Sequence, residues 1–453
     1  MSSSVFPLIV LVQKMPDATH IISARWIAPV VPQNTVLEDH SLVIQAGKII
    51  ALESTAKAIS KFPHAEVIDR NNHLIIPGLV NAHTHVGMSL FRGYADDVPL
   101  MTWLNDYIWP AEGKWMGPEY VRAGTELAVA EMLLSGTTCF NDMYFFANDV
   151  AQVSQSMGIR AFVSMIVIDF PSAWANSPAE YFEKGIAVHD EARSLSRVNT
   201  TMSAHAPYTV SDDSLVQVLT YADELHVPVV MHIHETEQEI NEALEQHGER
   251  PLKRLYDLGL LNPRLMAVHM TQLNEEEIEL CAQQGISVVH CPESNMKLAS
   301  GSCPVTQLLA KNTNVCLGTD STASNNDLDM LGEMRSASLL AKVTTGQAEA
   351  LPAWQALEMA TINGAKALNV QDQIGSLEIG KGADIVAVDL SSISTQPVYN
   401  PLSQLVYSAN RNMVSDVWVA GKACVTNGEL QTADLNQILQ NSSEWGNRIK
   451  GND

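Results

Sequence analysis

Two histidines separated by one residue end an apolar stretch near residue 80. The stretch, residues 77–85, reads Pro-Gly-Leu-Val-Asn-Ala-His-Thr-His and ends in His83 and His85. In a β-strand, side chains two residues apart point to the same face, so both imidazoles would project together. Histidine is the commonest metal ligand, and two neutral imidazoles on one strand end can grip a single ion. The pair predicts half of a metal site, although hydrogen-bonded core histidines can show the same spacing.

Three later apolar runs also end in side chains that can bind a metal ion. His232 is followed three residues on by Glu235, His269 ends a second run, and Asp320 ends a third. Three histidines and one aspartate form a mononuclear site suited to zinc or iron, with room for a water molecule. Taken singly, His232 and His269 could be core histidines, and Asp320 could begin a turn or cap a helix. Their joint occurrence at strand ends favours a metal-dependent active site.

Candidate strands alternate with helical stretches through the middle of the chain. The strands are predicted at residues 74–85, 137–143, 161–168, 200–205, 227–234, 265–269, 286–290 and 315–320. This alternation predicts an α/β protein with a (β/α)8 TIM barrel, whereas a doubly wound open sheet would alternate in the same way. Most of these strands end in a residue able to do chemistry, and barrel active sites lie on that face. The position of the polar residues therefore favours the barrel.

Both ends of the chain carry short strands around Gly-Lys turns. Residues 41–44 and 47–51 predict a hairpin. Residues 383–388 and 416–422 show the same pattern of a short apolar strand with a Gly-Lys pair. Because chain ends often lie close together, we expect them to build one small β-sandwich domain. The predicted domains are 1–76 and 371–453 for the two parts of the sandwich, the second with a C-terminal tail, and 77–370 for the barrel. Residues 1–14 precede Met15 and are interpreted as an upstream extension.

The composition argues against several classes of partner. The chain has 27 Lys and Arg against 51 Asp and Glu, and a nucleic-acid partner would need a basic surface. No stretch approaches the roughly 20 apolar residues of a membrane span, and no signal peptide is evident. The six cysteines form no Cys-x-x-Cys pair, which predicts a reducing, cytoplasmic compartment. A small neutral or zwitterionic molecule is the expected partner.

The sequence resembles the amidohydrolase superfamily, and within it the purine-type deaminases that include 5'-methylthioadenosine and S-adenosylhomocysteine deaminases. The resemblance spans nearly the whole chain and is carried by residues 77–85, 232–235 (His-Ile-His-Glu), 318–320 (Gly-Thr-Asp) and 374–384 (Ile-Gly-Ser-Leu-Glu-Ile-Gly-Lys-Gly-Ala-Asp). It implies one divalent metal ion per subunit, zinc or alternatively iron(II). The implied ligands are His83, His85, His232 and Asp320. Binuclear relatives use a lysine at the end of strand four, but residues 199–210 contain none, which favours one metal.

The same resemblance implies roles for individual residues. Asp320 would accept a proton from the attacking water, His269 would orient the resulting hydroxide, and Glu235 would protonate N1 of a purine as C6 is attacked. Glu112 would read the ribose hydroxyls. The full set of implied substrate-binding residues is Trp103, Glu112, His205, Glu235, Asp320 and Ser324.

The expected reaction is deamination of an adenosine-type nucleoside at C6, with release of ammonia. Members that favour S-adenosylhomocysteine are expected to offer arginine after strand three, and residues 164–192 hold none. This favours 5'-methylthioadenosine, whose thioether could pack on Phe170 or Trp174, over S-adenosylhomocysteine or adenosine. An amidohydrolase acting on guanine or a triazine is the alternative, and a non-catalytic barrel is a third interpretation that the retained ligands disfavour. A homodimer or higher homo-oligomer is also expected.

Overall fold

The computed structural model describes residues 19–451, so the extension suggested for residues 1–14 lies outside the described part. The chain begins with β1 (His20–Ile27), β2 (Leu37–Gln45), β3 (Lys48–Ser54), α1 (Thr55–Lys61) and β4 (Glu66–Pro77). Strands β2 and β3 pair antiparallel and form the hairpin expected from the sequence. Its turn uses Ala46 and Gly47, whose φ angles are 53° and 76°. Glycine suits such a turn because it has no β-carbon to clash in left-handed backbone.

Eight parallel strands form the barrel. They are β5 (Leu79–Thr84), β6 (Thr137–Asp142), β7 (Arg160–Val167), β8 (Val198–Ala204), β9 (Val229–Ile233), β10 (Leu265–His269), β11 (Ser287–His290) and β12 (Asn314–Leu317), and they lie side by side in chain order. Nearly all of their residues are buried, as expected of strands covered on both faces. The predicted barrel is confirmed.

The barrel closes where its last strand meets its first. The backbone N–H of Asp320, just past β12, donates to the carbonyl of His83 on β5 over 3.0 Å. A β-carbon at Gly318 would lie only 2.8 Å from the backbone nitrogen of His83. The glycine of the Gly-Thr-Asp motif therefore lets the two strands approach, and closure itself joins two of the candidate metal ligands.

Helices and short turns connect the strands and cover the barrel. They are α2 (Leu100–Thr102), a π-helix (Trp103–Ile108), α3 (Trp109–Trp115), α4 (Pro118–Leu134), α5 (Ala147–Met157), α6 (Pro178–Ala192), α7 (Asp212–Leu225), α8 (Glu237–His247), α9 (Pro251–Asp257), α10 (Glu275–Gln284), α11 (Pro292–Lys297), α12 (Val305–Ala310), α13 (Met330–Thr345), α14 (Ala353–Met359) and α15 (Ile362–Ala367), with a 3-10 turn at Val86–Phe91. Ser177, Ser211 and Thr236 cap the first turns of α6, α7 and α8 by accepting a backbone N–H. Such caps satisfy donors that the helix leaves free.

The remainder of the chain returns to the N-terminal strands. It contains β13 (Ile385–Asp389), α16 (Pro401–Tyr407), a 3-10 turn (Arg411–Met413), β14 (Val414–Val419), β15 (Lys422–Thr426), β16 (Glu429–Leu430) and α17 (Leu435–Lys450). These strands continue the N-terminal sheet, with order β16-β15-β14-β13-β4-β1-β2-β3. Ile22, Leu42, Ile385 and Trp418, from both halves, share a core separate from that of the barrel. The prediction that both chain ends build a second β unit is confirmed.

Asp384, the last residue of the motif at residues 374–384, joins this sheet to the barrel. Its carboxylate accepts two hydrogen bonds from Arg160 at the start of β7, over 2.7 and 3.0 Å, and its carbonyl accepts the N–H of Gly78 over 2.9 Å. The side chain of Asp384 is almost fully buried. That motif is therefore structural. Among residues 19–451, no helix has the length and apolarity needed to cross a membrane.

Candidate active site

The four predicted metal ligands form one cluster at the C-terminal ends of the barrel strands. His83 lies on β5, His85 directly follows it, His232 lies on β9 and Asp320 follows β12. One ligand atom from each falls within 4.8 Å of the others. All four residues are buried or nearly so. Strand ends that are distant in the chain thus bring together a three-histidine, one-carboxylate donor set.

The spacing of the donor atoms fits a divalent ion. His83 Nε2 lies 3.1 Å from His232 Nε2 and 3.6 Å from Asp320 Oδ1, and His85 Nε2 lies 3.2 Å from Asp320 Oδ1. Ligands bound at about 2.1 Å to a tetrahedral ion are separated by about 3.4 Å. Burial lowers the pKa of His83 to about 4 and that of His232 well below its usual value, so both rings are neutral donors. These residues fit a divalent cation.

Backbone carbonyls orient two of the imidazoles. His85 donates from Nδ1 to the carbonyl of Met143 over 2.5 Å, and His232 donates from Nδ1 to the carbonyl of His205 over 2.8 Å. A ring that donates from Nδ1 keeps its Nε2 lone pair free for an ion. The carbonyls therefore fix the tautomers that metal binding requires.

Two hydroxyls orient Asp320. Its Oδ2 accepts hydrogen bonds from Ser294 over 2.6 Å and from Ser324 over 2.9 Å, which leaves Oδ1 facing the histidines. The backbone of Asp320 has a φ of 62°, in the left-handed region that residues other than glycine seldom adopt. The barrel-closing hydrogen bond and the two hydroxyls hold the residue in that conformation.

Glu235 and His269 lie beside the cluster. Glu235 Oε2 is 3.7 Å from His269 Nε2, and Glu235 Oε1 accepts a long hydrogen bond from Ser300 over 3.4 Å. Burial raises the pKa of Glu235 to about 8, and the negative charge of Asp320 acts in the same direction. A carboxyl group that keeps its proton at neutral pH can serve as a general acid. Asn295 Nδ2 lies 3.0 Å from His269 Nδ1, and this hydrogen bond orients the imidazole ring.

A cavity of about 200 Å³ opens over the cluster. The predicted site residues that line it are His85, Trp103, Glu112, His205, His232, Glu235, His269, Asp320 and Ser324. Its other walls are mainly apolar and include Met88, Leu104, Ile108, Trp109, Met116, Met143, Phe145, Ile166 and Ile168. Phe170 also lines the cavity, whereas Trp174 packs against Tyr181 with ring centroids 5.7 Å apart. The structure thus brings all the predicted substrate-binding residues to one cavity, over a cluster whose fourth ligand, His83, lies beneath it.

Comparison with known proteins agrees with this geometry. Residues 74–424 match the profile of the Amidohydrolase family. The chain belongs to the amidohydrolase family. This amidohydrolase is 48% identical to two proteins named 5-methylthioadenosine/S-adenosylhomocysteine deaminase. The one from Teredinibacter turnerae aligns over 94% of this chain and 97% of its own length, and the one from Saccharophagus degradans over 95% and 96%.

A solved structure shares the fold over almost the whole amidohydrolase chain. It is an adenosine deaminase from Xanthomonas campestris with bound zinc, 49% identical, with a TM-score of 0.94. The match covers 96% of this chain and 100% of the other. The resemblance expected from the sequence motifs is therefore confirmed.

Three site residues of this amidohydrolase escaped the sequence analysis. Ser294 and Asn295 lie on α11, just after β11, and contact Asp320 and His269. Tyr144 lies two residues past β6 and donates from its hydroxyl to Glu112 Oε1 over 2.7 Å. Each follows the end of a barrel strand, so the rule that found the ligands could have flagged these positions.

Proposed function

We propose that this amidohydrolase is a zinc-dependent deaminase that hydrolyses the C6 amine of an adenosine-type nucleoside, with 5'-methylthioadenosine as its favoured substrate. The observation that carries the proposal is the buried Glu235, whose pKa burial raises to about 8, in the same cavity as the candidate metal ligands. An acid beside a metal suits replacement of an aromatic amine, because the ring nitrogen must gain a proton as water adds. The names of the relatives at 48% identity support deamination of an adenosine-type nucleoside over other ring hydrolyses.

In the proposed mechanism, the metal and the residues around it activate a water molecule for attack on C6. Held by His83, His85, His232 and Asp320, a zinc ion supplies the Lewis acidity that makes water nucleophilic at neutral pH. Asp320 accepts a proton from that water, its Oδ2 already held by two hydroxyls. His269 orients the nucleophile.

Glu235 is the proposed proton donor to the purine ring. It gives its proton to N1 as water adds to C6, so charge does not build up on the purine. The bond between C6 and the exocyclic nitrogen then breaks as the proton taken by Asp320 passes to the leaving nitrogen. Ammonia departs, and the proton of the added hydroxyl group returns to Glu235 as the C6 carbonyl forms. One water is consumed for each ammonia released.

Glu112 and three other residues that line the cavity are proposed to bind the nucleoside. Glu112 is buried, and the hydroxyl of Tyr144 holds its Oε1, which leaves Oε2 for the ribose hydroxyls. Trp103, His205 and Ser324 also line the cavity and are the other proposed contacts of the nucleoside. Burial raises the pKa of Glu112 to about 7, and the hydrogen bond from Tyr144 opposes that shift.

Tyr144→Phe is expected to raise KM for the nucleoside roughly 3- to 10-fold, corresponding to about 0.5–1.5 kcal/mol for one hydrogen bond, with little change in kcat. The reason is that Glu112 loses the group that orients it. Steady-state kinetics on 5'-methylthioadenosine measures the effect. The 2',3'-dideoxy analogue of the same nucleoside is the control, since it has no hydroxyls for Glu112 to read. An equal rise of KM with the analogue would contradict a role in ribose recognition.

The apolar cavity favours an apolar 5' substituent. Within residues 19–451, no lysine or arginine lines it. Lys184, the only lysine or arginine among residues 164–192, forms an ion pair with Glu180 over 2.7 Å. The carboxylate of S-adenosylhomocysteine would therefore enter the cavity without a partner, which is costly. A thioether methyl group would instead pack on Phe170 and Met116.

Kinetics with 5'-methylthioadenosine, S-adenosylhomocysteine and adenosine, with metal content measured on the same sample, test the proposal. We expect kcat/KM for 5'-methylthioadenosine to exceed that for S-adenosylhomocysteine at least tenfold, about 1.4 kcal/mol. Guanine and chlorotriazines complete the panel. If none of the three nucleosides releases ammonia, the deaminase assignment is refuted. A preference for S-adenosylhomocysteine would refute only the proposed preference for an apolar 5' substituent.

A further inference from the structure

We infer that Glu239 is a positioning residue that fixes the backbone of Glu235 and thereby aims its side chain at the substrate. The inference rests on the proposed function, in which Glu235 is the proton donor. Glu239 lies in the first turn of α8 and is only 8% exposed. Its Oε1 accepts the backbone N–H of His234 over 2.9 Å, and its Oε2 accepts that of Glu235 over 2.7 Å. Each oxygen of this buried carboxylate thus accepts one of two consecutive backbone N–H groups, those of His234 and Glu235.

The backbone held by Glu239 is strained. His234 has a φ of 54°, in the left-handed region that residues with a β-carbon rarely adopt. This turn ends β9 and directs the next residue, Glu235, into the cavity rather than along the strand. A strained conformation persists only where surrounding contacts determine it, and such conformations cluster at active sites.

Contacts from the loop after β10 hold the same two residues from the carbonyl side. The N–H groups of Thr271 and Gln272 donate to the carbonyl of His234 over 3.0 and 3.2 Å. The hydroxyl of Thr271 donates to the carbonyl of Glu235 over 2.7 Å. Glu239 supplies the matching restraint on the N–H side, so every backbone polar group of this two-residue turn has a partner.

The helix itself does not require this use of Glu239. Thr236 already caps α8, since its hydroxyl accepts the N–H of Glu239 over 3.2 Å. In a capping box, the glutamate at this helix position reaches back to the backbone N–H of the cap residue. Glu277 of α10 does so in this protein, binding the N–H of Asn274 over 3.0 Å. Glu239 instead reaches past its own cap residue to the two residues before it.

Glu239→Gln is expected to lower kcat about 10- to 100-fold, the range found when a partner of an active-site group is removed, while KM changes less than threefold. Glutamine keeps the volume and one acceptor but turns an amide N–H₂ group toward the second backbone donor. Glu239→Ala should be at least as impaired. Glu245→Gln, on the exposed face of the same helix, is the control and should match the unsubstituted enzyme. Metal content should not change in any of these proteins.

Coupling to Glu235 separates positioning from a general loss of structure. In a Glu235→Gln background the acid is already gone, so adding Glu239→Gln should lower kcat no further. Thr271→Val, which removes the hydroxyl that binds the carbonyl of Glu235, should also lower kcat and remains informative if the Glu239 variants do not fold. Full kcat in Glu239→Gln, or a multiplicative loss in the double variant, would overturn the inference. Absence of ammonia release by the unsubstituted enzyme would instead refute the proposed function.

Discussion

Glu235→Gln is expected to retain its metal and to lower kcat for 5'-methylthioadenosine about 10²- to 10⁴-fold, the usual contribution of a positioned acid. The amide has the same shape as the carboxyl group and keeps the contact with Ser300, but it has no acidic proton to give to N1. Ammonia release under saturating substrate, with metal content measured on the same preparation, tests the prediction. Activity equal to that of the unsubstituted enzyme would remove Glu235 from the mechanism.

The pH profile provides an independent check on the same group. Because Glu235 must be protonated to act, and burial raises its pKa to about 8, kcat should fall as the pH rises through that value. The loss occurs on the alkaline side because deprotonation destroys the acid. Glu235→Gln cannot lose this proton, so its residual kcat should lack the alkaline decline. A decline at the same pH in the variant would assign it to another group.

Removal of the metal is expected to abolish deamination entirely, because the nucleophile and the position of Asp320 both depend on it. Dialysis against a chelator should yield inactive protein, and one equivalent of zinc per chain should restore ammonia release. The metal-free protein should also melt at a lower temperature, since an ion that binds only the folded state stabilises that state. Full activity without metal would refute the assignment.

Variants of the ligands sharpen this test. His232→Ala should fail to recover activity at one equivalent of zinc, because only three donors remain. His247→Gln changes an exposed histidine at the end of α8 and should bind zinc and turn over normally. Recovery of His232→Ala at one equivalent would exclude that histidine from the metal site.

The barrel could be predicted because its strands are short, apolar and followed by chemistry-bearing residues. The exact strand bounds could not: residues 74–85 were expected to form one strand, but residues 74–77 belong to β4 of the other sheet and β5 begins at Leu79. Residues 227–234 and 315–320 were expected to be extended, but β9 ends at Ile233 and β12 at Leu317. Beyond them, His234 and Asp320 adopt left-handed backbone with φ of 54° and 62°. Neither is glycine, so the local sequence gives no sign of the turn, which tertiary hydrogen bonds impose.

The cluster of candidate ligands could be predicted because each of its four residues is of a metal-binding type and lies at a strand end. The residues that orient the ligands could not be assigned in this way. Ser294 acts on Asp320 from 26 residues away, and Tyr144 acts on Glu112 from 32 residues away. Serine and tyrosine are common in any role, so only the folded geometry distinguishes these two. The short π-helix at Trp103–Ile108, which lines the cavity, likewise has no periodic signal.

Closure of the barrel through Asp320 and His83 has a consequence for biosynthesis. The ligands come from the first, fifth and eighth strands, so a ribosome must release nearly the whole barrel before all four donors can meet. An incomplete chain that ends before β12 lacks the carboxylate and retains only three imidazoles. The complete set of four candidate donors therefore forms only after β12 and Asp320 have been synthesised.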